Sequence, residues 1–209
     1  MYPVPQELKS AIFVHLLKLG EIKEALVFTR TKHRANRLQA YLVKQGVKAE
    51  RIHGNRSQAQ RTEALAGFKN GKYRVLVATD IAARGIDIEA LGHVINFDVP
   101  LAPDDYIHRV GRTARAELTG DAFTFVAPEE ENELRGIERA VGKRLQRVTV
   151  PGFDYKARAE QKLEVPLAER VAAIRAKKAE DRAKANWPQK AQKAQKNAAG
   201  FCAFGAFCG

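Results

Sequence analysis

Four short apolar runs constrain this chain more than any other feature: "ALVF" (25–28), "RVLVAT" (74–79), "HVINF" (93–97) and "AFTFV" (122–126). Each is nearly continuous instead of alternating, so both of its faces must be covered. A weaker strand, "KAERIH" (48–53), fits between the first two. Helical patterns fill the intervals. Ala35, Leu38 and Leu42 form one stripe, which Gly46 is placed to end. Ser57 and Gln60 make a capping box ahead of Ala64, Leu65 and Phe68, and Gly71 supplies the stop. With further helices around 5–19 and 128–141, the alternation predicts an α/β domain. Its expected architecture is a doubly wound parallel sheet with helices on both faces.

The character changes near residue 152, and the expected division is a domain over 1–152 and a basic tail over 153–209. The net charge is +12, and residues 156–209 hold 12 Lys or Arg against 5 Asp or Glu. That balance favours a polyanionic partner such as nucleic acid, ribosome or anionic lipid, and the tail reads either as a non-specific anchor to such a partner or as a solubilising linker. A charged helix is expected within 166–186 and disorder from 187 onward, where "QKAQKAQKN" has no apolar stripe. Cys202 and Cys208 are the only cysteines, so the core is expected to lack disulfides. No apolar run reaches the length that spans a bilayer, and the N-terminus lacks a secretory apolar stretch, so the expected compartment is cytoplasmic.

Two segments carry chemistry. In "HRVGRTAR" (108–115), taken as a continuing helix after Pro103, His108, Arg112 and Arg115 fall on one stripe. Ile107, Val110 and Ala114 fall on the other side and should face the sheet. Guanidinium forks suit phosphate, although an Arg-rich helix can equally pair with carboxylates. In "ATDIAARGIDI" (78–88), Thr79 and Asp80 end a strand where open α/β sheets bind ligands. Gly85 permits a turn there, and Asp87 suits ribose hydroxyls or caps a turn. Gly54 leaves an amide open to a phosphate, and Arg61 sits near its helix N-terminus. His53, His15, His33 and His93 read as structural or exposed, Thr29 as structural, and no metal-ligand spacing occurs.

Four stretches together resemble the DEAD-box ATP-dependent RNA helicases, specifically their second, C-terminal RecA-like domain, with RhlE-type members the nearest likeness. They are "ALVFTRTK" (25–32), "IHGNRSQAQR" (52–61), "VLVATDIAARGIDI" (75–88) and "YIHRVGRTAR" (106–115). The resemblance implies that Arg112 and Arg115 reach a γ-phosphate, the latter as arginine finger, with His108 in the interdomain network. It implies Gly85 and Asp87 at the nucleotide, Arg84 at the domain interface, and Arg61, Thr79 and Gly54 on single-stranded RNA. The chain contains no G-x-x-x-x-G-K-[ST] and no D-E-A-D. ATP and Mg²⁺ are therefore expected on an N-terminal RecA-like domain in cis or trans, and the chain is expected to be inactive alone. The alternatives are a non-catalytic RNA-binding adaptor derived from a helicase, and a related DNA helicase or translocase.

Overall fold

The computed structural model describes residues 1–83, 91–113, 120–157, 172 and 175–182. Six strands form one sheet: β1 (Tyr2–Pro3), β2 (Ala25–Phe28), β3 (Ala49–Ile52), β4 (Val75–Ala78), β5 (His93–Asn96) and β6 (Asp121–Val126). Their order is β1-β6-β5-β2-β4-β3 and every pairing is parallel. The helices are α1 (Lys9–Leu19), α2 (Lys32–Lys44), α3 (Gln58–Lys69), α4 (Asp80–Ala83), α5 (Pro103–Val110) and α6 (Glu131–Val141). Single 3₁₀ turns, Gln6–Leu8 and Pro128–Glu130, precede α1 and α6.

The continuous apolar runs have the expected cause. In β2, Ala25 and Val27 join a core with Ile12, Phe13 and Leu16 of α1 and Leu38 and Leu42 of α2. Leu26 and Phe28, one residue out of phase, pack on the opposite face with Ala64 and Phe68 of α3 and Ala82 of α4. A strand with period-two side chains and two covered faces must be apolar at every position. A third cluster joins Tyr106 of α5 to Leu134 and Ile137 of α6 over Val126.

Local signals behave as read. The Ser57–Gln60 capping box forms with both bonds present, and Gly46 and Gly71 take φ of +81° and +71° after their helices. The two-residue β1 was not expected. It is held by Tyr2 stacking on Phe123 at 5.6 Å and by Val4 N donating to the Val126 carbonyl at 2.9 Å. Phe153 and Tyr155, which a boundary at 152 assigns to the tail, pack against the α1 side of the core, and the Tyr155 hydroxyl accepts from Val150 N at 2.8 Å. In the second unit, residues 175–182 are helical and exposed, inside the expected 166–186 span, while the stretch from 187 and both cysteines lie outside the described residues. No helix among the described residues is long and apolar enough to cross a membrane.

Two glycines test this packing in opposite directions. A Cβ on Gly120 would lie 2.5 Å from the Leu91 carbonyl oxygen and 2.7 Å from that of Thr113, both backbone atoms. A Cβ on Gly136, inside α6, would meet nothing within 4 Å. Gly120→Ala is expected to lower unfolding free energy by about 1–3 kcal/mol through overpacking, and Gly136→Ala to raise it by up to about 1 kcal/mol through helix propensity. Urea denaturation of the two variants reads both signs.

Candidate functional site

The C-terminal ends of β2, β4 and β5 converge where the strand order reverses, the usual ligand crevice of an open α/β sheet. A single buried guanidinium organises this end. Arg109, 2% exposed, closes a two-toothed fork on Asp80, with Nε donating to Oδ1 at 2.7 Å and Nη2 to Oδ2 at 2.8 Å. Its Nη1 donates to Asn96 Oδ1 at 3.1 Å and to the Asp98 carbonyl at 2.9 Å, and the group lies over the Phe28 ring. One side chain thus ties α5 to the start of α4 and to the ends of β2 and β5.

The helix that carries it is shorter than expected. α5 starts with Pro103 at its first turn, beside Asp104 and Asp105, and ends at Val110, capped by Gly111. Thr113, buried, closes that end by donating to the Val110 carbonyl at 2.7 Å. Arg112 therefore lies past the end of the helix that carries His108, and the two do not share one continuous helical stripe. The buried face is corrected in part. Val110 packs on the core as expected, but Tyr106 and Arg109 turn inward and Ile107 is 50% exposed. Tyr106 anchors the third cluster and Arg109 finds full pairing, so the helix rotates to bury them in place of Ile107. Burial raises the Tyr106 phenol above its usual value.

His108 and Arg112 nevertheless line one cleft, with Phe28, Asp80, Ala83, Asp105 and Arg109. Asp80 is neutralised by Arg109, while the Arg112 guanidinium has no partner among the described residues. An imidazole and a guanidinium side by side at a crevice fit an incoming phosphate. Arg115, Arg84, Gly85, Asp87 and Ala114 lie outside the described residues.

On the neighbouring side, Thr79 turns β4 into α4, its carbonyl accepting from Ala82 N at 3.0 Å and Ala83 N at 2.9 Å. Arg61 Nη2 donates to the Ala82 carbonyl at 3.1 Å, and its buried Nε has no partner among the described residues. Both residues are thus brought to α4, beside Asp80. Gly54 stands exposed in the turn after β3, whose end pairs with that of β4. Its turn is pinned by His53, buried, whose Nε2 donates to Asn36 Oδ1 at 2.8 Å and whose Nδ1 accepts from Asn55 N at 3.3 Å. His53 is structural, as read. Burial, then Arg51, Arg56, Lys32 and His33, hold its pKa below 6.5. Thr29 is buried, its hydroxyl donating to the Ala78 carbonyl at 3.4 Å.

Sequence reading missed a second buried polar group. Asp98, wholly buried, accepts from Arg30 N at 2.7 Å and pairs with Arg34. Lys9, also wholly buried, donates to the Phe97 carbonyl at 2.9 Å and pairs with Glu130. Desolvation lowers the Lys9 pKa, opposed by Asp98 and Glu130. The one available signal was an aspartate directly after a buried strand, in "INFDVP". Among the described residues, no cluster of three His, Cys, Asp or Glu is placed to hold a metal.

Residues 8–117 match the helicase conserved C-terminal domain, a span that contains all four quoted stretches. Among curated proteins, the chain is similar to the DEAD-box ATP-dependent RNA helicase CshA of Geobacillus kaustophilus, 43% identical over 162 residues, 78% of this chain and 35% of that protein. CshA of Bacillus subtilis is 44% identical over 162 residues, covering 78% and 33%. The chain spans about a third of the length of these curated relatives. Among solved structures, the E. coli DEAD-box protein SrmB, bound there to regulator of ribonuclease activity A, is 37% identical with a TM-score of 0.71, covering 77% of this chain and 95% of that one. The C-terminal domain of the DEAD-box protein Dbp5 is 31% identical with a TM-score of 0.65, covering 74% and 91%. These likenesses are to DEAD-box proteins at large and do not single out the RhlE type.

Two outcomes follow from the geometry. Arg109→Ala leaves Asp80 without its partner and is expected to cost about 3 kcal/mol in urea denaturation. Arg109→Lys keeps the charge but loses the fork, so it should recover only part of that. For His53, the folded pKa lies below the unfolded 6.5, so the unfolded chain binds the extra proton. Stability is full above pH 6.5 and is lost as pH falls below it, at no more than about 1.4 kcal/mol per pH unit for one proton. Denaturation midpoints of wild type and His53→Gln, measured across that range, should converge on acidification.

Proposed function

Because the chain belongs to the DEAD-box RNA helicases and carries their helicase conserved C-terminal domain, we propose that it contributes one half of an ATP-driven RNA-remodelling site. The observation behind this reading is the Arg109–Asp80 fork, which holds the cleft of His108 and Arg112 against the turn of Thr79 and Arg61. ATP, held with Mg²⁺ by an N-terminal RecA-like domain in cis or trans, supplies the phosphoryl group to be transferred. Arg112 and Arg115 would neutralise charge on its γ-phosphate, with Arg115 as arginine finger, and His108 would bond across the cleft. Gly85 and Asp87 would meet the nucleotide, and Arg84 the facing domain.

On the RNA side, Arg61, Thr79 and the Gly54 turn would hold phosphates of one strand without reading its bases. Thr79 and Asp80 are consecutive. A displacement of α4 on cleft closure would therefore reach the RNA contacts and the Arg109 fork together, and the bend so imposed would open a duplex locally. Positioning and charge neutralisation dominate phosphoryl transfer, so arginines without the opposing cradle have little to act on.

The isolated chain is expected to show no RNA-stimulated ATPase, and adding a matching first domain should restore it. In the restored pair, Arg115→Ala or Arg112→Ala should lower the rate by on the order of 10³-fold or more. Robust turnover by the chain alone would overturn the half-site reading. Failure of any matching first domain to restore activity, with RNA binding intact, would favour an adaptor.

A further inference from the structure

Away from the crevice, α6 and the turn after it form a basic concavity lined by Asn132, Arg135, Glu138, Arg139, Lys143 and Arg144. The four cations are all exposed. Arg135, Lys143 and Arg144 have no side-chain partner among the described residues, and Arg139 only reaches the Arg135 carbonyl. The one carboxylate of the lining, Glu138, braces the turn, its Oε1 accepting from Leu145 N at 2.9 Å, and four cations against this one anion leave the lining with net positive charge.

The shape is fixed by the backbone. Gly142 takes φ of +72°, a left-handed turn, and Lys143 N donates to the Glu138 carbonyl at 3.2 Å. Leu145 then packs on the third cluster. The chain is thereby folded back so that Lys143 and Arg144 face the same hollow as Arg135 and Arg139, which stand one turn apart, about 6 Å along the axis. Cations near a helix C-terminus interact favourably with its dipole, but that reaches only the last turn and does not account for Arg144 beyond it.

The lining also discriminates between partners. It holds no aromatic or large apolar anchor of the kind that protein interfaces and membrane-surface helices use. Three guanidiniums and one ammonium around one open hollow suit a backbone of closely spaced phosphates. We propose that this α6 hollow is a second RNA-phosphate contact, sequence-independent and separate from the Arg61, Thr79 and Gly54 side. The proposal rests on the reading of the chain as an RNA-binding helicase domain.

The test uses the full 209-residue chain and a fluorescent RNA hairpin with a single-stranded 3′ extension, titrated at several salt concentrations. Replacing Arg135, Arg139, Lys143 and Arg144 together by Gln is expected to weaken binding by roughly tenfold and to flatten the log–log salt slope by about 0.7 for each phosphate no longer neutralised. The same positions with every arginine changed to Lys should keep the slope near wild type, since the charge is then retained. Unchanged affinity and slope in the Gln variant, with Arg61→Gln still weakening binding, would overturn the hollow alone. No RNA binding by the wild-type chain would overturn the hollow and the RNA reading together. Loss of binding to anionic phospholipid vesicles in the Gln variant, with RNA binding unchanged, would assign the hollow to a membrane and overturn the proposal.

Discussion

A guanidinium out of water must have every strong interaction satisfied, and Arg109 meets that demand by drawing four elements to one point. The ends of β2 and β5, the first residue of α4 and the last turn of α5 are not adjacent in sequence, and directional bonds specify their relative placement more narrowly than apolar contact does. Desolvation makes such a group expensive unless its geometry is good, and here both teeth of the fork are used on Asp80. The surrounding core fixes where the sheet is. Arg109 fixes what its functional end looks like.

The parallel sheet was legible because strands covered on both faces leave continuous apolar runs, and all four strong runs became strands. The Ser57 box and the glycines after α2 and α3 were legible for a similar reason: each solves a backbone problem with one residue type. The interior of α5 was not. Helical spacing assigns Ile107 inward as readily as Tyr106, and the choice was made by an ion pair to Asp80, 29 residues away. Periodicity treats arginine as an outward residue, so it cannot report one that is buried because it is paired. β1 escaped notice because two residues hold no period, and its place depends on Phe123 and Phe125 of a strand more than a hundred residues later.

Asp98 and Lys9 extend the same logic. Asp98 uses its carboxylate on Arg30 and Arg34 and its carbonyl on Arg109, so the polar network at this end of the sheet is continuous. Lys9 and Glu130 join α1 to the turn before α6, with the Phe97 carbonyl as a further acceptor. Half-satisfied, such a network would be worse than a greasy core. Fully connected, it allows one arrangement of helices where apolar packing would tolerate several.

The two margins of the sheet carry a consequence for self-association. At one margin β1 is two residues long, includes Pro3 with no N–H to offer, and the Met1 carbonyl just before it is already taken by Val148 N at 2.8 Å. At the other margin β3 is four residues long and interposes Glu50 and Arg51 between its buried ends. Short strands, a proline and flanking charges deny a further strand both hydrogen-bond partners and a dry surface. Strand addition between copies of this domain is thus disfavoured at both margins of the sheet.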